Sequence, residues 1–156
     1  PCDPKATVLA NCVGYANGRF AEIIGKPYIE YQLVCNAENF IESAKKQGLK
    51  ISKVPTVGGI MVWQKGATLG GGDGAGHVAI VEEILQNGDV VTSNSARHGS
   101  YFYMRTYYAS SGYNWSDYIF QGFIYNPYIT PTPPPPPTGE TEKKKFPWFI
   151  YWRRRF

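Results

Sequence analysis

The chain has 156 residues, of which 43% are hydrophobic and 15% aromatic, so it can bury a single real core without disulfides or metals. Its net charge of +4 arises at the end of the chain: ten basic residues balance ten acidic ones up to Thr130, and six face two from Pro131 onward. The balanced charge of the main part argues against nucleic acid as a partner, and no apolar run approaches the roughly 20 residues of a membrane-spanning helix.

The three cysteines, Cys2, Cys12 and Cys35, are odd in number, and no two have a C-x-x-C spacing, which argues against a disulfide framework or a structural zinc site. A bridge from Cys2 to either of the others stays open, but at least one thiol is free. The sequence begins at Pro1 without the charged and apolar regions of a signal peptide, so we expect a processed chain or a piece of a longer one.

Two helices are predicted in the first third of the chain. The first opens at Ala10 or Asn11 and ends at Gly25. The second has the stronger pattern, with Asn36 as a candidate N-cap and Gly48 as a C-terminal stop. The apolar residues between them fall on one face at helical spacing: Ala37, Phe40, Ile41 and Ala44.

After Pro55 the hydrophobic period changes to that of strands. Five segments show it, in chain order GIMVW, HVAIVEEI, DVVTSN, SYFYMRTYY and DYIFQGFIY. The connections between them are too short for helical crossovers, so the strands must pair antiparallel. Helices followed by about five strands indicate an α+β domain.

The composition divides the chain into three parts. Residues 1–128 form the domain, and residues 129–140, which include TPTPPPPPTGE, read as a stiff polyproline spacer. Residues 141–156 form a tail in which aromatic side chains lie between two basic triplets. This tail, from Lys143 to Phe156, has three interpretations: the start of a second module, an anchor on an anionic membrane or other anionic polymer, or a segment that docks on its own domain.

The residues of the domain allow thiol chemistry. Cys12 stands at the start of the first helix, where the macrodipole and unpaired N–H groups are expected to lower the pKa of a thiol. The only candidate bases are His77, which opens a strand after the glycine run that spans residues 70–76, and His98 in what looks like an exposed turn. Asn94, at the end of the next strand, is placed to orient the imidazole of His77.

The segments NCVGYANGRF, GGIMVWQKG, GAGHVAIVEEI and VVTSNSARHGSYFY resemble, in this order, the CHAP family of cysteine, histidine-dependent amidohydrolases and peptidases. The resemblance implies a papain-like α+β fold that hydrolyses amide bonds in bacterial peptidoglycan. Matched residue by residue, it implies that Cys12 is the nucleophile, His77 the general base and Asn94 the polar third member.

Thr92 is a departure from that pattern, because many family members carry a glutamate two residues before the asparagine. We therefore expect dependence on Asn94 alone or on a water-bridged alternative, and we group Thr92 with the candidate substrate contacts. The other substrate-binding candidates are Trp63 and Tyr15, each with core packing as the alternative, and Asn11 as a second oxyanion donor beside the Cys12 backbone N–H.

Some members of the family that this chain resembles bind calcium through aspartates just before the cysteine. Here only Asp3 stands there, and it cannot supply the six to eight oxygen ligands that calcium needs, so we expect no metal and no cofactor. The predicted function is a thiol-dependent peptidoglycan hydrolase, either an N-acetylmuramoyl-L-alanine amidase or an endopeptidase. It would act at the bacterial cell wall, from a phage virion, from a host cell at lysis, or after secretion. The alternative is an inactive wall-binding or virion structural domain of the same fold.

Overall fold

The computed structural model describes residues 10–25, 31–66, 76–97 and 100–128. The helices are α1 (Cys12–Ile24) and α2 (Phe40–Lys46). Six strands follow: β1 (Ile51–Ser52), β2 (Ile60–Lys65), β3 (His77–Ile84), β4 (Val90–Ser95), β5 (Phe102–Tyr107) and β6 (Tyr118–Ile124). The expectations for Cys2, Asp3, His98, the proline-rich spacer, the tail and the glycine run before Gly76 lie outside the described residues.

Helix α1 begins and ends where the sequence predicts. The side chain of Asn11 caps it by accepting a hydrogen bond from the backbone N–H of Gly14 at 3.0 Å. Gly25 ends it in the left-handed conformation that glycine adopts without strain. Its buried face, which includes Ala16 and Phe20, packs on the sheet.

The second predicted helix is divided in two. Residues Ala37–Asn39 form a 3-10 turn, and only then does α2 begin. Asn36 precedes the turn but makes no side-chain capping bond, so its predicted capping role is wrong. The predicted apolar face is largely confirmed, since Phe40 and Ala44 are fully buried.

The sheet has the strand order β1-β6-β2-β3-β4-β5, and every pair of neighbours is antiparallel. All five predicted strands are present, and the α+β class with its antiparallel, papain-like arrangement is confirmed. The sequence analysis missed β1, which pairs with the end of β6 through two residues only.

Alternate residues of β2 and β3 face two different apolar clusters. Ile60, Val62 and Val78 pack with the helices, whereas Met61 and Trp63 belong to an aromatic-rich cluster on the opposite face. Burial on both faces makes these two central strands almost continuously apolar, as the burial of residues 60–64 and 77–81 shows.

The strand ends that carry the candidate catalytic residues His77 and Asn94 lie at one edge of the sheet. Because neighbouring strands are antiparallel, the ends of β2 and β4 lie at the same edge as the beginnings of β3, β5 and β6. Helix α1 contacts β3 and β4. Within the described residues, none of the helices has the length and apolar character needed to cross a membrane.

Candidate active site

Cys12 is the first residue of α1 and is partly buried. Burial raises the pKa of its thiol above the ordinary value, and hydrogen bonds with the backbone of Val78, Val13 and Cys12 itself act in the opposite direction without reversing it. The backbone groups at the helix N-terminus act in the expected direction, but the expected net lowering of the thiol pKa is wrong, because loss of solvent outweighs them.

His77 is the first residue of β3, and only 8% of it is exposed. Its Nε2 lies 3.0 Å from Oδ1 of Asn94, which comes from β4. Burial lowers the pKa of His77 and the nearby Arg105 lowers it further, while the hydrogen bond to Asn94 raises it. The net direction is downward, so the imidazole is neutral at neutral pH and can accept a proton.

The side chain of Asn94 is fixed in one orientation. Its Nδ2 donates to Oγ1 of Thr92 at 2.9 Å and to the Thr92 carbonyl at 3.2 Å. This leaves Oδ1 as the atom that faces His77, and an amide oxygen can only accept a hydrogen bond. The proton of the neutral imidazole therefore lies on Nε2, and the lone pair lies on Nδ1.

Thr92 itself is fully buried, and its Oγ1 donates to the carbonyl of Arg105 at 3.0 Å. It cannot touch a substrate, so its placement among the substrate contacts is wrong. Its hydroxyl instead fixes the orientation of the Asn94 amide, which in turn positions the imidazole of His77.

Cys12 and His77 line the same groove, which has a volume of about 480 Å³ and opens at the edge of the sheet described above. The residues that form this groove are Asn11, Cys12, Val13, Asn36, Ala37, Lys65, Gly76, His77, Ala96, Arg97, Tyr101, Tyr103, Trp115 and Tyr118.

Trp63 is completely buried, and its indole N–H donates to the carbonyl of Tyr113 at 2.8 Å. Its ring stacks on that of His77 with centroids 5.8 Å apart, and it pairs with His77 across β2 and β3. The assignment of Trp63 to the substrate groove is wrong. Trp63 instead packs in the core, as the alternative predicted, and its ring supports the imidazole of His77.

The remaining two substrate candidates differ in outcome. Tyr15 does not belong to the groove; its hydroxyl donates to Oγ of Ser93 at 2.9 Å and its ring packs edge-on against Phe102. Asn11 does line the groove. Its Oδ1 is occupied by the helix cap, and its amide Nδ2 is the group that stays a candidate oxyanion donor.

The sequence analysis missed the four aromatic residues that line the groove, which are Tyr101, Tyr103, Trp115 and Tyr118. The hydroxyl of Tyr103 lies 3.5 Å from Nε2 of His77. Trp115 and Tyr118 stack on each other at 4.0 Å, and the ring of His77 meets both nearly at right angles. Strand register offers a signal for Tyr103, because it pairs directly with Asn94 across β4 and β5.

In the part of the chain that the structure describes, no three aspartate, glutamate, histidine or cysteine side chains come together where they could hold a metal ion.

Two kinds of comparison with known proteins give a match, one with a family model and one with solved structures. The family model described as "CHAP domain" matches residues 3–96, which include Cys12, His77 and Asn94. The fold is similar to the 2.15 Å crystal structure of an N-acetylmuramoyl-L-alanine amidase from Staphylococcus aureus, with a TM-score of 0.57 and 22% sequence identity. That match covers 74% of this chain and 30% of the amidase chain, and no curated protein matches the sequence.

Proposed function

The chain belongs to the CHAP domain family, and from this premise we propose that it hydrolyses amide bonds of bacterial peptidoglycan, with Cys12 as nucleophile and His77 as general base. The observation that carries the proposal is one arrangement: both residues line a single groove, while Asn94 accepts from Nε2 of the imidazole at 3.0 Å. The scissile bond is either the lactyl-alanine amide or a peptide bond of the stem or cross-bridge.

In the first step, Nδ1 of His77 takes the thiol proton as the sulfur of Cys12 attacks the amide carbonyl. The oxyanion of the tetrahedral intermediate accepts hydrogen bonds from the backbone N–H of Cys12 and from Nδ2 of Asn11. The imidazolium then protonates the leaving amine, which leaves a thioester on the sulfur. Water activated by the neutral imidazole hydrolyses this thioester and restores the thiol.

Asn94 has the role of a positioning residue in this scheme. Its Oδ1 holds the Nε2 proton in both charge states of His77, so Nδ1 stays directed at the reaction. Among the described residues no aspartate or glutamate lines the groove, and Thr92 stands at the position where many family members have the glutamate that could stabilise an imidazolium. The ion pair of thiolate and imidazolium is therefore a transient species here and not the resting state.

The site of action follows from the substrate. We propose a phage lysin or a secreted bacterial enzyme that acts at the cell wall, either from a virion, from the host at lysis, or from outside. In each case the substrate is the same polymer, so the digestion below tests the activity that the three locations share.

The experiment is digestion of purified Gram-positive peptidoglycan by the wild type, by Cys12→Ala and by Cys35→Ala, followed by mass spectrometry of the soluble products. Cys35 is the matched control, because it is the other free thiol of the described residues and does not line the groove. We expect fragments from the wild type and from Cys35→Ala only. Free lactyl groups identify an amidase, and new peptide amines identify an endopeptidase.

Two results would overturn the proposal. Release of fragments by Cys12→Ala at the wild-type rate would remove the thiol from the mechanism. Binding of several wall types by all three proteins without any release would instead support a non-enzymatic wall-binding domain of the same fold.

A further inference from the structure

The groove is locally cationic although the main domain is electrically balanced. Lys65 and Arg97 both line it, and none of the described residues that line it is an aspartate or glutamate. Up to Thr130 the chain has equal numbers of basic and acidic residues, so this excess is a property of the groove and not of the domain. A groove of one charge sign concentrates ligands of the opposite sign.

The two cations lie on opposite sides of His77. Lys65 ends β2, His77 begins β3 and Arg97 follows the end of β4, and these three strands are consecutive neighbours in the sheet. With about 4.8 Å between neighbouring strands, the backbones that carry the two cations are roughly 10 Å apart. An extended peptide advances about 3.4 Å per residue, so groups on either side of a bond held at His77 come within reach of one cation each.

Both cations are available to a ligand. Nζ of Lys65 is 3.7 Å from a carboxylate oxygen of Asp117, which is half exposed, and such surface pairs contribute little. Among the described residues Arg97 has no ion pair, and its side chain is exposed.

The Lys65 side of the groove is also ordered by stacking. Arg105 lies over the ring of Trp115 at 4.3 Å, Trp115 stacks on Tyr118, and Nζ of Lys65 lies 6.0 Å from the centre of the Tyr118 ring. These aromatic faces form a rigid wall beside His77, with an ammonium group at its outer end.

From this arrangement we propose that Lys65 and Arg97 bind carboxylates of the stem peptide beside the scissile amide, so that the preferred substrate is a stem peptide with free, unamidated carboxyl groups. The inference rests on the proposed function, because it names the substrate class of the same site. A cation that donates to a carboxylate forms a stronger hydrogen bond than it does to a carboxamide. Amidation of the stem peptide replaces the charged carboxylate with a neutral carboxamide, so the stronger hydrogen bond is lost.

The test measures binding without turnover, using the full chain with Cys12→Ala. Two synthetic muropeptides serve as probes, identical except that the stem glutamate carries either a free carboxyl group or a carboxamide. We expect about tenfold tighter binding of the free acid, a preference that weakens in salt. Addition of Lys65→Gln and Arg97→Gln should abolish the preference, whereas Lys46→Gln, an exposed lysine on α2 outside the groove, should leave it unchanged.

Equal affinity for the two probes, no measurable binding of either, or a preference that survives the double substitution would each overturn the anion site. The digestion experiment decides the proposed function separately. A preference for the free acid without any wall cleavage would keep the anion site and refute the hydrolase. Cleavage of amidated and unamidated walls at equal rates would keep the hydrolase and refute the anion site.

Discussion

At the scale of single residues, the protonation states of the thiol and the imidazole decide how the proposed reaction begins. Burial raises the pKa of Cys12 and lowers that of His77, and both shifts favour the uncharged pair. Sequence spacing located Cys12, His77 and Asn94, but it could not give the direction of the thiol shift. The direction of the shift depends on how deeply the thiol is buried. Strands far along the chain produce that burial, so it cannot be inferred from the position of Cys12 at a helix N-terminus.

The uncharged resting pair predicts how Cys12 reacts with an electrophile. The rate of alkylation by iodoacetamide, followed at this residue by peptide mass mapping, should keep rising with pH up to at least pH 9, the ordinary value from which its pKa is raised. A thiolate stabilised by a protonated histidine would instead react at a constant rate from about pH 6 upward. Such a plateau would contradict the uncharged pair and restore the resting ion pair.

The hydroxyl of Thr92 should matter for turnover and not for substrate binding. Thr92→Val removes the acceptor that holds Nδ2 of Asn94 while preserving the shape of a fully buried residue. A hydrogen bond of this kind contributes about 1 kcal/mol, which corresponds to a fall in kcat of roughly five- to tenfold. KM should stay constant, because Thr92 does not reach the groove.

Thr92→Ser is the matched control, since it keeps the hydroxyl and loses only a methyl group. Kinetics on a soluble stem-peptide substrate distinguish the two variants. If Thr92→Val raises KM and leaves kcat alone, the residue contacts substrate after all, and its assignment as a positioning residue fails.

At the scale of elements, the site depends on how α1 and the strands are held together. Glu82 of β3 accepts from Nε of Arg19 on α1 at 3.2 Å and from Oγ of Ser93 on β4 at 2.7 Å. The hydroxyl of Tyr15 donates to the same Ser93 at 2.9 Å. This polar connection ties the helix that carries the thiol to the two strands that carry His77 and Asn94.

Element prediction from the sequence succeeded where the pattern was local. α1 has a side-chain cap at Asn11 and a left-handed glycine at Gly25, and both signals are readable without tertiary structure. The strand β1 was missed, because its two residues are held only by pairing with distant β6. Asn36 failed as a cap because the chain enters α2 through a 3-10 turn, which the apolar spacing does not distinguish from an α-helical turn.

At Gly76, directly before β3, the structure leaves no room even for a methyl group. Gly76 has φ of +73°, and a Cβ there would lie 2.2 Å from the carbonyl oxygen of Trp63. Gly76→Ala must therefore shift the strand that begins with His77. We expect a loss of about 3 kcal/mol or more in the free energy of unfolding, measured by urea titration.

Gly48→Ala is the matched control for this prediction. Gly48 has a similar φ of +77°, but nothing lies within 4 Å of a Cβ added there. Gly48→Ala therefore measures the cost of backbone strain alone, about 1 kcal/mol, without the steric collision that a Cβ meets at Gly76. Equal losses in the two variants would show that close contact with β2 is not what requires a glycine at Gly76.

At the scale of the whole molecule, the groups that form the site also make folding sensitive to acid. The pKa of His77 in the folded protein is below its ordinary value of 6.5, so between the two values the unfolded chain binds more protons. The pKa of Glu82 is likewise below its ordinary value of 4.5, because its hydrogen bonds to Arg19 and Ser93 outweigh its burial. Both shifts make stability rise with pH, but in different ranges.

The two contributions can be separated by unfolding in urea at a series of pH values from 8 to 4. The stabilising contribution of neutral His77 is complete above pH 6.5 and is lost as the pH falls below it, so the difference between wild type and His77→Gln should shrink between about pH 7 and 5. The difference between wild type and Glu82→Gln should stay constant over that range and shrink only below about pH 4.5. Glu83→Gln, which removes an exposed carboxylate from the same strand, serves as the control for the loss of one charge. A wild-type minus His77→Gln difference that stays constant from pH 7 to 5 would mean that the folded protein accepts a proton on His77 as easily as the unfolded chain does. The uncharged resting pair, and the general-base mechanism built on it, would then have to be replaced by the resting ion pair.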